Sequence, residues 1–114
     1  MYGRSGRGKY GAVRTEYGGR TYASKLEARC AAELDLMLKA KAIRSWEPQV
    51  AVDLAVNGMK VCRYVVDFRA VHLDGSVEWI EAKGMWTAAA RIKAKLFKAA
   101  YLAGRPGERY TVWT

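Results

Sequence analysis

The chain has 114 residues, with 20 Lys and Arg against 11 Asp and Glu and a single His, giving a formal charge of +9. Hydrophobic residues make up 51%, enough for the core of one compact domain at a length too short for two. No apolar run approaches the roughly 20 residues that cross a bilayer, no apolar signal core opens the chain, and Cys30 and Cys62 are too few for a disulfide framework or a zinc site, so the expected setting is a reduced cytoplasm and the expected partner a polyanion, most simply nucleic acid.

In chain order, residues 1–20 read as a basic arm and residues 21–114 as a single domain. The arm carries Arg4, Arg7, Lys9, Arg14 and Arg20 against one acid, Glu16, among glycines and tyrosines. Such a segment buries little apolar surface and is expected to be mobile until it meets a partner. It is not a phosphate loop, because Gly-Lys-Ser/Thr and a preceding strand are both missing. Ser24-Lys25-Leu26-Glu27 opens a helix that runs to about Lys41, capped by Ser24, with Ala31, Leu34 and Leu38 on its inward stripe. After Trp46-Glu47-Pro48 the period changes to two: Val50, Val52, Leu54 and Val56 mark a strand. Asn57-Gly58 then signals a hairpin, since both residues tolerate positive φ. A second strand spans about Met59 to Val71, Leu73-Asp74-Gly75 turns the chain, and Val77 to Lys83 forms a third strand. Thr87 caps a second helix from about Ala88 to Leu102, with Ala89, Ile92, Leu96 and Ala99 facing inward and Gly104 and Pro106 ending it. Tyr110 to Trp113 reads as a last strand. The order is α-β-β-β-α-β, an α/β fold. Between Glu81 and Glu108 there is no acid, while Lys83, Arg91, Lys93, Lys95, Lys98 and Arg105 are basic. Lys25, Arg91, Lys93 and Lys95 join the arm as candidate phosphate contacts, because phosphate binding asks for such one-signed clustering.

The chemistry concentrates in the hairpin of the second and third strands. Asp67 lies seven positions before Asp74 and Glu81 seven after it. An antiparallel hairpin centred there sets the two acids directly opposite, with Cβ atoms about 5 Å apart. Lys83 points to the same side by parity, as does Trp79. Phe68 then faces Ile80, and Val66 faces Ala82, on a second face expected to be wholly apolar. A three- or five-residue loop gives this register, whereas a tight two-residue Asp74-Gly75 turn would put the acids on opposite faces. Two carboxylates so close repel unless a cation neutralises them, and hard oxygen ligands with room for water suit Mg²⁺ or Mn²⁺. Such an ion polarises a phosphate oxygen and acidifies a water for in-line attack, and Lys83 is placed to orient that water. Glu27 completes a capping box with Ser24, yet it also lies on or near the stripe facing the sheet, where it becomes a third carboxylate.

These residues resemble the PD-(D/E)XK nuclease superfamily: an acid on the first helix, Asp67, a turn, then Glu81-Ala82-Lys83. The strings Lys9-Tyr10-Gly11-Ala12, Ser24-Lys25-Leu26-Glu27-Ala28, Pro48-Gln49, Arg63-Tyr64-Val65-Val66-Asp67-Phe68 and Glu81-Ala82-Lys83-Gly84 resemble a family of small phage-encoded proteins of that superfamily, over about residues 9–103. The resemblance implies a restriction-endonuclease-like core with a mixed sheet flanked by helices. It implies Asp67, Glu81 and the Ala82 carbonyl as metal ligands, Lys83 as catalytic lysine, and Glu27 as the helix acid that completes the site. Val66 stands where the superfamily's motif has a proline. The resemblance also implies action on branched DNA such as Holliday junctions, by a homodimer.

The remaining residues have plainer readings. His72, at the mouth of the turn, is expected to be a solvent-exposed loop histidine. Cys30 and Cys62 read as buried or half-buried thiols. Trp79 is expected to pack, Trp86 to pack or to stack on a base, and Gln49 has no assigned role. The expected function is a Mg²⁺-dependent DNA endonuclease, structure-selective rather than sequence-selective. A non-catalytic nucleic-acid-binding protein, or a packaging or recombination accessory on the same fold, is the rival.

Overall fold

The computed structural model describes residues 13–114; Arg4, Arg7 and Lys9 lie outside the described residues. Its elements are β1 (Thr15–Tyr17), β2 (Arg20–Tyr22), α1 (Lys25–Lys39), β3 (Ile43–Val56), β4 (Met59–His72), β5 (Val77–Ala82), α2 (Ala88–Leu96) and β6 (Glu108–Trp113). A π-helical turn over Phe97–Tyr101 and a 3₁₀ turn over Leu102–Gly104 extend α2. Four strands form one mixed sheet in the order β3-β4-β5-β6, antiparallel except for the parallel β5–β6 pair. The expected α/β class and the mixed sheet with flanking helices are present. Among the described residues, no helix is long and apolar enough to cross a membrane.

Residues 15–22 were assigned in part to the mobile arm, but they pair as a hairpin, β1 with β2. Gly18 and Gly19, with φ of 60° and 83°, take the turn between them without the steric penalty a side chain would meet. Aromatic burial fixes the hairpin to α1: Tyr22 is buried, and the Tyr17 hydroxyl donates to Asp35 Oδ2 at 2.8 Å. The Trp46 indole N–H donates to the other oxygen of Asp35 at 3.1 Å, so one carboxylate ties β1 and β3 to the same helix.

Helix α1 begins where expected. Ser24 Oγ accepts the Glu27 N–H at 3.1 Å, and Ala31 and Leu34 are fully buried. The inward stripe stops there, because Leu38 is exposed as the helix ends at Lys39.

Strand β3 starts seven residues earlier than its alternating pattern, and a kink in it accounts for the lost signal. Gln49 has φ 54° in mid-strand. Pro48 pairs with Phe68 and Val50 with Val66, leaving Gln49 and Asp67 as an unpaired rung between them. Both strands change core at that rung. Trp46, Phe68 and Ala70 pack with Ala31, Leu34 and Ile80 under α1, whereas Val50, Val66 and Tyr64 pack with Trp79 and Phe97 under α2. The expectation that Val66 shares a face with Phe68 is therefore corrected. A regular two-residue period holds only while the backbone stays extended.

The inward face of the second helix is also corrected. Ala89, Ile92 and Ala99 are exposed; Ala94 and Phe97 are buried, with Leu96 and Tyr101 half-buried beside them. Phe97 decides the rotation. Its ring lies 5.3 Å from Tyr64, 5.3 Å from Trp79, 5.2 Å from Tyr101 and 5.8 Å from Tyr110, and one such aromatic buries more than the small alanines that suggested the other stripe. Phe97→Ala is expected to destabilise the fold by about 3–5 kcal/mol, and Ile92→Ala by less than about 0.5 kcal/mol. Urea unfolding of the two variants measures the difference.

Candidate active site

Strands β4 and β5 meet in the register that sets two acids opposite. The pairs Phe68 with Ile80, Arg69 with Trp79, Ala70 with Glu78 and Val71 with Val77 are symmetric about Asp74, and the next rung places Asp67 across from Glu81. The loop is three residues. His72 N–H donates to the Ser76 carbonyl at 2.8 Å, Gly75 takes φ 90°, and Asp74 Oδ1 accepts from both Ser76 N–H and Ser76 Oγ. Gly75 supplies the left-handed position such a loop requires.

Beyond the last backbone pair the ladder is continued by a side chain: Ala82 N–H donates to Asp67 Oδ2 at 2.9 Å. Glu81 is 3% exposed and stands one rung beyond the Phe68–Ile80 pair, on the strand facing Asp67. Lys83 Nζ stands 3.9 Å from Glu81 Oε2. The Lys83 N–H donates to the Trp113 carbonyl at 3.1 Å, so β6 fixes the backbone that carries this amine.

The second face of the hairpin is not wholly apolar. Glu78, opposite Ala70, is buried there, and Arg109 at 3.0 Å and His72 at 2.8 Å supply its partners. His72 is thus not the exposed loop histidine expected. It caps the far end of the hairpin, held against Glu78.

Glu27 reaches the same rung from α1. Its amide serves the helix cap, while its carboxylate accepts from Gln49 Nε2 at 3.4 Å. Two open clefts meet at Asp67. One, of about 320 Å³, is lined by Arg14, Arg20, Tyr22, Glu27, Gln49 and Asp67. The other, of about 350 Å³, is lined by Arg63, Tyr64, Asp67, Glu81, Lys83 and Lys93 among others. Asp67 belongs to both, so Glu27 approaches it from one side and Glu81 with Lys83 from the other.

Of the candidate phosphate contacts, Arg14, Arg20 and Lys93 line these clefts. Lys25, Arg91 and Lys95 are exposed on the helices and line neither. Arg63 went unnoticed, although it shares the parity of Asp67 on the same strand. Tyr64 and Tyr110 were missed as well. The Tyr64 hydroxyl lies 3.2 Å from both Glu81 Oε1 and the Tyr110 hydroxyl, a contact that depends on the change of core at the Asp67 rung. Gln49 acquires a role as the donor to Glu27. Trp79 packs, as expected, with its indole N–H bonded to Glu108 Oε1 at 2.8 Å. Trp86 is half-buried, with Lys83 Nζ 6.0 Å from its ring centre. Cys30 is buried and its thiol is pushed up to about 11, which leaves it unreactive.

Among the described residues, no group of three His, Cys, Asp or Glu stands where it would hold a metal ion. A cation at this rung would rest on the Asp67–Glu81 pair, the Ala82 carbonyl and water. That donor set suits Mg²⁺ or Mn²⁺, hard ions that take one or two carboxylates and keep several waters. Without a cation the ionised forms of these carboxyls are disfavoured. Burial first, then the charge of Asp67, raises Glu81 to about 8 and Glu27 to about 7, and burial raises Asp67. Unfolded carboxyls ionise near pH 4, so the stability these groups contribute is present below that point and is lost as pH climbs through the folded values. In EDTA, the thermal midpoint is expected to fall between about pH 5 and pH 8, and Glu81→Gln to flatten the fall. A series of melts across that range measures it.

No curated protein and no solved structure matches this sequence. A family model does: residues 7–106 match the one described as "Protein of unknown function (DUF1064)". That span covers most of the chain, which therefore belongs to the DUF1064 family.

Proposed function

We propose that the protein is a metal-dependent DNA endonuclease of the PD-(D/E)XK type, hydrolysing phosphodiesters at Asp67, Glu81 and Lys83. The observation that carries this reading is the position of Asp67. It lies at the junction of two basic-walled clefts, with the buried carboxyl of Glu81 and a lysine beside it. A strand laid across the junction places one phosphate at the acids and its neighbours against Arg14 and Arg20 on one side and Arg63 and Lys93 on the other. Clefts open on both sides suit cleavage within a strand rather than at its end.

A divalent cation bound at Asp67 and Glu81 would supply polarisation of the phosphate and acidification of a water. The chain's own groups do the rest. Ala82 N–H keeps the Asp67 carboxylate turned toward its neighbour. Lys83, anchored through β6, offers its ammonium to the attacking water and to the charge that grows on the phosphate. The clefted arginines and lysines bind backbone, not base edges, so affinity is expected to fall steeply with salt and to favour DNA shape over sequence. Branched DNA acted on by a homodimer is the substrate and assembly that the resemblance to junction resolvases suggests.

The test is cleavage of supercoiled plasmid and of a four-way junction, each with Mg²⁺ and with EDTA. Cutting is expected with Mg²⁺ alone. Asp67→Ala and Lys83→Ala are expected to lose at least about a hundredfold in rate, the scale of removing one electrostatic stabiliser, while gel-shift affinity for the junction stays within a few-fold. Binding without cutting by the wild-type protein in Mg²⁺ and in Mn²⁺ would instead establish the non-catalytic DNA-binding protein.

A further inference from the structure

Two tyrosine hydroxyls end on the candidate site without a part in the mechanism above. Tyr64 on β4 is 6% exposed, and its ring packs on Phe97 at 5.3 Å. Its hydroxyl lies 3.2 Å from Glu81 Oε1 and 3.2 Å from the hydroxyl of Tyr110 on β6. A hydroxyl has one proton to give. Tyr64 gives it to Glu81 Oε1, so its own second bond is taken from Tyr110.

The ring contacts do not require these oxygens. Phenylalanine at either position would fill the same aromatic cluster without burying a polar group, which costs free energy unless the group is bonded. Here the bonds run in one direction, Tyr110 to Tyr64 to Glu81, and stop at a carboxylate in the candidate site. The geometry also separates the two oxygens of Glu81. Oε1 takes the tyrosine, and Oε2 is the one 3.9 Å from Lys83. Asp67 is divided in the same way, with Oδ2 on the Ala82 N–H.

We propose that Tyr64, backed by Tyr110, is a positioning residue that holds Glu81 by Oε1 and so presents Oε2, beside Asp67, as a ligand for a divalent cation. This rests on the metal-dependent reading above. It adds an outer layer to the donor set that reaches as far as β6, and carboxylates that ligate metals are commonly held by such hydrogen bonds.

The test is Mn²⁺ binding to the full-length protein, followed by titration calorimetry and by the loss of the free-ion spin-resonance signal, for wild type, Tyr64→Phe and Tyr110→Phe. Tyr64→Phe is expected to weaken Mn²⁺ binding about 10–100-fold, the usual scale for losing such a partner, and Tyr110→Phe to weaken it less. Both variants keep the ring, and their thermal midpoints in EDTA are expected to stay within a few degrees of wild type. In cleavage assays, Tyr64→Phe is expected to raise the Mn²⁺ concentration giving half-maximal rate while leaving the rate at saturating metal close to wild type. Wild-type Mn²⁺ affinity in Tyr64→Phe overturns the positioning role and leaves the nuclease reading intact. Failure of the wild-type protein to bind Mn²⁺ overturns the metal site and this inference with it. Should Tyr64→Phe fold poorly, unchanged Mn²⁺ affinity in Tyr110→Phe overturns the relay.

Discussion

Asp67 and Glu81 are carboxylates on neighbouring strands, the first half-buried and the second buried, and withdrawing like charges from water together is among the costlier arrangements a small fold can hold. Much of the surrounding architecture answers that cost. Ala82 turns a backbone donor onto Asp67 where the β4–β5 ladder ends. Tyr64 does the same for Glu81 from within an aromatic core. Lys83 supplies one positive charge at the rim, its backbone held by the parallel strand β6. Elsewhere in the sheet a buried acid is treated differently: Glu78 is met directly by Arg109 and His72. The contrast is chemically informative. Glu78 receives a guanidinium and an imidazole from the protein, and the Asp67–Glu81 pair is left with one lysine for two carboxyls.

The parts of this arrangement that were legible in the sequence are those governed by local symmetry. Asp67 and Glu81 are equidistant from Asp74, and a three-residue loop with Gly75 in the left-handed position converts that spacing into opposition across two strands. Ser24 and Thr87 announced their helices because a cap needs only a side-chain oxygen three residues ahead of an N–H. What was illegible depends on departures from periodicity. The change of core at the Gln49–Asp67 rung leaves no mark in an alternating pattern, so Tyr64 could not be brought to Glu81 on paper. The inward face of α2 departs from the alanine and Ile92 stripe because Phe97 and Tyr101, carried on the π-helical turn, outweigh it. The β1–β2 hairpin was hidden in a basic, glycine-rich stretch, its folding dependent on Asp35 and on burial of Tyr22.

Basic residues divide along similar lines. Arg14, Arg20, Arg63 and Lys93 come from four different elements or their flanks and converge on the two clefts. Lys25, Arg91 and Lys95, chosen for their place in sequence, remain on open helix surfaces. Charge clustering along the chain shows only that the protein is basic, and the tertiary fold selects which cations stand beside the carboxylates.

The kink at Gln49 has a second effect, outside the site altogether. Among the described residues strand β3 is the border of the four-stranded sheet and spans 14 residues, and a long border strand invites another molecule to add a strand. Pro48 has no N–H to offer, and Gln49 leaves the extended conformation. Together they cut that border into two short runs that a visiting chain cannot bridge in one continuous ladder. The distortion that lets Gln49 touch Glu27 thereby also guards a long open margin against intermolecular stacking.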